Sequence, residues 1–405
     1  MIQSELSILL FLIILIAGIF YLSNSQFKII KLVFQVIPPL LFCYFLPSFF
    51  VGVGLMDISK SDLNSSLSKV LLPFCIFYFT LGLPLKKVRT IGNKFLVVFL
   101  AGALGVIVGG PISLFISHII FPDSFNAESY RAMSTIAGSW IGGTANQMAL
   151  NSIFSPTSNE FAKAVTVDVF FGEIWLTMLL FLIPFQKKIN QLMKSEINLE
   201  NELLDINYVT NEKKFQFNQV LYILGLGFFV SQFCVFLADY LFNFIILHFG
   251  KISVLEFLNK SFWTFLFSTI IGLGLGITRI SKSYEMGGDV VSSIFLYIII
   301  ASIGLKISLG HLFSTPILLF TGFLWISIHG LAIFAAGKLT KAPYHYMAIA
   351  SQANVGGIAS ASVISTALSP KLTPFGVILA LLGYAIGTYG GYISAIIMKL
   401  ISVNY

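Results

Sequence analysis

The runs LLFLIILIAGIFYL (9 to 22), FLVVFLAGALGVIVGG (95 to 110) and SSIFLYIIIASIGL (292 to 305) contain no charged residue. Each reaches or approaches the roughly 20 apolar residues that carry a helix across a bilayer. Composition leaves no soluble alternative: 57% of the 405 residues are hydrophobic and 10% are charged, where an ordinary soluble domain is about 25% charged. The chain therefore reads as an all-α polytopic membrane protein whose standing partner is the lipid bilayer. Its first apolar run has the look of a signal peptide, but residues 1 to 7 carry Glu5 and no Lys or Arg, and no small-x-small cleavage site follows. That segment is read as a retained helix.

Apolar segments fall near 8–22, 29–50, 70–85, 95–118, 131–153 and 161–186, and again near 218–248, 261–278, 289–305, 313–337, 344–366 and 373–398. Between the two sets lies a polar stretch, residues 187–217, with five lysines and five acids. It is read as a cytoplasmic charged linker between a first repeat, 1–186, and a second, 218–405. Pro38, Pro39 and Pro47 are expected to kink the second segment.

The two halves can be aligned without a gap at their fifth segments. IGGTANQMALNSIFSP (141 to 156) and VGGIASASVISTALSP (355 to 370) share five residues of sixteen, among them both Gly-Gly pairs and the closing Ser-Pro. The third segments also end alike, in TLGLPL (80 to 85) and SIGLKI (302 to 307). Internal duplication of this kind is a common plan for secondary transporters.

Lysine and arginine test the topology. If all twelve segments cross, the basic residues divide 13 to 11 between the two sides, which gives no orientation. If the fifth segment of each half enters and leaves on one side, they divide 16 to 8, with Lys28, Lys31, Lys86, Lys87, Arg89, Lys94, the linker lysines, Arg279, Lys282, Lys338, Lys341 and Lys371 inside. The favoured fold is thus two inverted repeats of about five transmembrane helices, each with a re-entrant hairpin or broken helix near 131–153 and 344–366. Five crossings reverse the second half, so the first hairpin dips from outside and the second from the cytoplasm. Their tips are expected to approach each other near the midplane.

Backbone that leaves helical geometry inside a membrane survives where protein or water covers it. The tips therefore predict a lined cavity. Gly142 and Gly143 permit close backbone approach, while Ser139, Thr144, Asn146 and Gln147 can hydrogen-bond a solute or coordinate a cation. The second copy offers Ser351, Gln352, Asn354, Gly356, Gly357, Ser360 and Ser362. Small residues also serve plain helix packing, and that is the reading preferred for Gly383 and GTYGG (387 to 391). Two copies with amides at both tips favour a binding site. Ionisable groups deep in a span are costly and mark function; Asp168 and Glu173 qualify, but five residues at about 100° each set them on different faces. His329 and Asp239 read as interhelical contacts, and Lys306 as a snorkelling residue. His118, His248, His311 and His345 lie near membrane boundaries without metal spacing.

Cys43, Cys75 and Cys234 fall in apolar segments and read as small buried hydrophobes, with no disulfide framework or metal site. HExxH, GxSxG and GxxxxGK[ST] are missing, so no enzymatic activity and no cofactor are expected. The net charge of +7 is dispersed through short loops, which excludes a nucleic-acid partner.

At GSWIGGTANQMAL followed by AVTVDVFFGEIWLTMLLFLIP, the chain resembles the YjcL-like family of uncharacterised bacterial and plastid membrane proteins, over nearly its whole length. The matching residues are Gly138 to Asn146 and Asp168. By fold that family is grouped with the cation/proton antiporter and anion transporter superfamily, several members of which carry Gly-Gly re-entrant loops in inverted halves and move substrate by an elevator motion. The resemblance implies a transporter fold and names no substrate. This chain departs from symmetry where Thr144 and Asn146 face Ile358 and Ser360, and only Arg89, Arg131 and Arg279 are present, none at a tip. The expected function is secondary transport of a small solute, coupled to sodium or protons, in the cytoplasmic (inner) membrane, with a homodimer as an allowed assembly. A non-transporting scaffold or receptor is the competing class, and an intramembrane enzyme a weaker third.

Overall fold

A computed structural model describes residues 2, 4–36, 39–58, 63–83, 92–125, 129–195, 216–249, 259–305, 316–369 and 372–403. Pro38, Lys60, Lys86, Lys87, Arg89, Lys213, Lys214, Lys251, Lys306, His311, Pro370 and Lys371 lie outside the described residues, as do residues 196–215 of the linker. The helices follow the apolar segments: α1 (Glu5–Ser23), α2 (Lys28–Val36), α3 (Pro39–Gly52), α4 (Leu63–Leu81), α5 (Asn93–Ile120), α6 (Ser129–Gly142), α7 (Thr144–Phe154), α8 (Ser158–Leu182) and α9 (Gln186–Met193). Then come α10 (Phe217–Phe249), α11 (Lys260–Gly276), α12 (Asp289–Gly304), α13 (Pro316–Thr340), α14 (Tyr344–Val355), α15 (Gly357–Leu368) and α16 (Thr373–Val403). Among the described residues seven stretches, built on α1, α5, α8, α10, α12, α13 and α16, are long and apolar enough to cross a membrane.

The second segment is two helices, with α2 ending at Val36 and α3 resuming at Pro39, while Pro47 sits inside α3. The charged linker is partly structured. Its first residues form α9, where Asn190 Oδ1 accepts the Tyr344 N–H at 2.7 Å and so caps α14, and where Met193 is buried.

Packing divides the chain by segment number rather than by sequence half. The first three segments of each half (α1, α3 and α4 with α10, α11 and α12) pack together, and the last three (α5 to α8 with α13 to α16) form a second bundle. In the first, α4 is the pivot. Its Tyr78 hydroxyl donates to Ile223 O (2.8 Å), its Cys75 thiol donates to Ser292 O (3.3 Å), and its Val70 carbonyl accepts from Ser231 Oγ (2.7 Å). Cys43, Cys75 and Cys234 are all buried and free.

In the second bundle α5 lies along α13, because Gly102, Gly105 and Gly109 share one face of α5 and leave room for the side chains of His329, Ala332 and Trp325. Trp325 Nε1 donates to Val106 O (2.8 Å) and Thr321 Oγ1 to Ser117 Oγ (2.8 Å), which fixes the register. Dispersion between close-packed backbones replaces the hydrophobic effect that lipid cannot supply. α4 and α12 likewise face each other across the first bundle.

Candidate functional site

Helix α6 ends at Gly142 and α7 starts at Thr144, with Gly143 between them at φ 84°. That conformation is open to glycine and strained for other residues. The two limbs fold back on each other: a Cβ added to Gly138 would lie 2.4 Å from Leu150 Cδ1. Their outer ends also meet, since Arg131 Nη1 donates to Phe154 O at 2.7 Å. The fifth segment is therefore a hairpin that enters and leaves at one end. Its limbs of 14 and 11 residues are each too short for a core about 30 Å thick.

The second hairpin repeats the device. Gly357 has φ 62°, so the second glycine of each aligned pair makes the break. Phe95 stacks on Tyr346 at the start of α14 (4.3 Å) and lies 6.5 Å from Phe375, just beyond the end of α15.

Helix α16 runs past both hairpins. Gly376 adjoins Ala361 and Ser365 of α15, Gly383 adjoins Ile141 O and Ala353 O beside the two breaks, and Gly391 adjoins Gly138 and Leu150 of the first hairpin. The hairpins thus open toward opposite ends of α16 and their tips meet at its middle. A Cβ placed on Gly143 would lie 3.6 Å from Gly357 Cα, and one on Gly357 3.7 Å from Gly143 Cα. The Tyr384 hydroxyl of α16 is 3.6 and 3.5 Å from the same two positions. Two helix N-termini and two helix C-termini converge here, bringing unpaired N–H and C=O groups to one point.

The polar residues of the two tips behave differently. In the first, the Asn146 amide nitrogen donates to Gly142 O (2.8 Å), and its oxygen accepts from Thr388 N (3.0 Å) and Thr388 Oγ1 (2.6 Å). Asp168 Oδ2 accepts from Ser139 Oγ (2.8 Å) on one limb and Gln147 Nε2 (2.9 Å) on the other. One carboxylate oxygen therefore clasps both limbs across the break. In the second tip, Asn354 Nδ2 donates to Phe99 O (3.0 Å), but Asn354 Oδ1 and Gln352 Oε1 accept no hydrogen bond among the described residues. Both residues are buried, at 0% and 1% exposure. Gln352 points at the break, where a Cβ on Gly356 would meet its Nε2 at 2.4 Å and Ser360 Oγ at 2.6 Å. Thr144 and Ser360 are half-buried at the starts of α7 and α15.

Residues 11–401 match the family described as a protein of unknown function, DUF819. The chain belongs to that family. It is also 23% identical over 356 residues to the uncharacterised membrane protein YjcL of Bacillus subtilis (strain 168), an alignment covering 84% of this chain and 85% of that one. The expected YjcL-like membership thus holds, and with it the class of helical membrane protein.

Around this family member's second tip lies a hydrogen-bonded chain. His329 Nδ1 meets Gly102 O at 2.9 Å and must donate, because a carbonyl oxygen only accepts. In the neutral ring Nε2 then accepts from Ser351 Oγ (2.8 Å), which in turn accepts from Trp175 Nε1 (2.8 Å). His329 is the interhelical contact its sequence context implied, joining α5, α13, α14 and α8. Asp239 is likewise paired, with Lys260 at 2.7 Å. Glu173 is half-buried on α8, flanked by the exposed Phe170 and Ile174, and no hydrogen bond joins its carboxylate to either tip among the described residues.

Three residues at the site escaped sequence reading: Tyr384 and Thr388 on α16, and Phe79, which stacks on Tyr384 at 4.7 Å. The glycines of GTYGG are packing residues, as read. Their helix does have an amide partner after all, Asn146 on Thr388. A tyrosine and a threonine in an apolar run carry no signal of their own; the spacing of Gly383, Gly387 and Gly390 was the available clue that another backbone passes close by.

Proposed function

We propose that the protein is a secondary active transporter of a small solute, with its site between the hairpin tips and with sodium as the coupling ion. The observation that carries this reading is the Gln352 amide oxygen, buried at the break of the second hairpin without a donor among the described residues. A buried acceptor left unpaired costs about 1–3 kcal/mol, and a hard cation recovers that cost as an oxygen-seeking ligand. The Gln352 amide and Ser360 Oγ both flank Gly356 at the break, where α14 ends and its last carbonyls lose their helical donors. Asp168, occupied with Ser139 and Gln147, acts as a positioning residue for the first hairpin.

Rigid displacement of the second bundle against the first suits this packing. Both hairpins and α16 belong to one bundle, and Phe79 on Tyr384 is an apolar contact that can slide. Segments that correspond in the two halves, α5 with α13 and α4 with α12, pack against each other, which suits an inverted repeat about an axis between them. With the lysine-rich linker in the cytoplasm, the chain would sit in the cytoplasmic membrane.

The test is thermal unfolding of the purified protein in sodium chloride against choline chloride at equal ionic strength. A saturable rise of the midpoint with sodium is expected, reduced in Ser360→Ala and abolished in Gln352→Leu. Equal midpoints in the two salts, or a sodium response untouched by both substitutions, would overturn the assignment. Proteoliposome uptake with and without a sodium gradient then identifies the solute.

A further inference from the structure

A cleft of about 560 Å³ opens between the two bundles at the outer ends of the first hairpin. Its volume lies within the range of small-molecule sites. One wall is the first bundle, with Lys69 on α4 and Lys260 and Ser261 on α11; the other is the first hairpin, with Asn151, Ser152 and Ser155. We propose that this cleft is the outer vestibule of the protein, and that it admits a small hydroxylated or amide-bearing monoanion on its way to the tips. The route to the tips rests on the transport reading above; the charge preference does not.

Acyl chains are poor occupants, because hydroxyl and amide groups facing hydrocarbon lose their water without return. The charges choose among water-soluble solutes. Lys69 and Lys260 supply two positive charges and Asp239 one negative, so the cleft carries a net +1. Lys260 and Asp239 neutralise each other at 2.7 Å, while Lys69 has no ion pair among the described residues and is open to solvent. One carboxylate group satisfies that excess, and the serines and Asn151 address hydroxyls or amides beside it.

Depth supports a path rather than a dead end. Pro73 lies at the cleft and Phe79 is six residues further along α4, about 9 Å at 1.5 Å per residue. Asn151 lies at the cleft and Thr144 is seven residues back along α7, about 10 Å by the same rise. Both routes stop the cleft about 10 Å short of the tips. At the end of that gap stands the Phe79–Tyr384 stack, and on the cleft side Tyr389 of the same helix α16 donates to Thr269 Oγ1 at 2.8 Å, one turn beyond the lining residue Phe265. Parting of that stack would join vestibule and tips.

The test uses Asn151→Cys and, on the facing wall, Ser261→Cys, in full-length protein whose three buried cysteines are replaced by alanine. Right-side-out vesicles are labelled with anionic sulfonatoethyl and cationic trimethylammonioethyl methanethiosulfonate, each rate normalised to that on free cysteine. Labelling from outside is expected at both positions, with the anionic reagent favoured about tenfold. Lys69→Gln with Lys260→Gln should bring the ratio to one or below, and D-gluconate, but not D-glucose, should slow the reaction. Equal normalised rates in the lysine background, labelling from inside alone, or labelling only after denaturation would overturn the proposal. A sodium response without anionic preference removes the vestibule and leaves the tips; anionic preference without a sodium response does the reverse.

Discussion

The two hairpins share a break at the same aligned glycine, yet their tips are built on different terms. At the first, Ser139 and Gln147 donate to Asp168, and Asn146 bonds Gly142 O and Thr388 of α16. At the second, Gln352 and Asn354 keep amide oxygens without donors among the described residues. A polar group buried with its partners rigidifies a fold, while one buried without them holds binding capacity in reserve. The contrast teaches that one backbone device can carry two different sets of side-chain partners. In the transport reading the first tip is a buttress and the second a receptor.

The glycines offer the sharpest way to break this comparison. A Cβ on Gly142 would lie 2.1 Å from the Gly383 carbonyl oxygen, which is backbone of α16 and cannot yield. On Gly356 it would lie 2.4 Å from the Gln352 amide nitrogen, which can turn aside, and 2.4 Å from Ser360 Cβ, which moves only with the start of α15. Gly142→Ala should therefore cost about 3 kcal/mol or more, through overpacking against fixed atoms, and lower the unfolding midpoint in every salt. Gly356→Ala should cost less than Gly142→Ala, because the three atoms its Cβ would meet first belong to side chains, and it should erase the sodium increment. If the two variants lose equal stability, the first tip is no more a buttress than the second.

Asp168 comes next. Removing its side chain strands Ser139 and Gln147 inside the bundle, roughly 1–3 kcal/mol for each buried donor left unpaired. Asp168→Ala should be markedly destabilised. Asp168→Asn retains an oxygen able to accept both bonds and should recover most of that loss, with its sodium response intact. Stable Asp168→Asn protein without a sodium response would make the carboxylate an ion ligand and abolish the division of labour between the tips.

Much of this could be read from the chain. Apolar runs located the spans, because lipid demands continuous hydrophobicity; the Gly-Gly echo located both breaks, because positive φ is cheap for glycine. Asp168 was legible as a buried carboxylate, and its separation from Glu173 by helical angle foretold that the two would not act as a pair. Illegible were the groupings that depend on distant chain segments. The division into first-three and last-three segments leaves no local signature, and Thr388 is chosen as the Asn146 partner by a crossing that is set by Gly383 and Gly387, 237 and 241 residues beyond Asn146. Nor does any amide announce whether its oxygen will find a donor. Gln147 and Gln352 look alike in sequence, yet the Gln147 nitrogen donates to Asp168 Oδ2 while the Gln352 oxygen meets no donor among the described residues.

The smallest expected effect is the most discriminating, since it compares like with like. Asn146 and Asn354 are both buried amides near a break. Asn146 forms three hydrogen bonds and Asn354 one. At about 1 kcal/mol net for each bond, Asn146→Ala should cost roughly 3 kcal/mol and Asn354→Ala roughly 1 kcal/mol. The second figure shrinks further because truncation also removes an oxygen that lacked a donor, and a buried acceptor left unpaired is itself destabilising. Paired unfolding curves in choline chloride check the difference. Asn354→Ala matching or exceeding Asn146→Ala in cost would mean that its oxygen is satisfied in the folded protein without sodium, and the second tip would then be as fully bonded as the first.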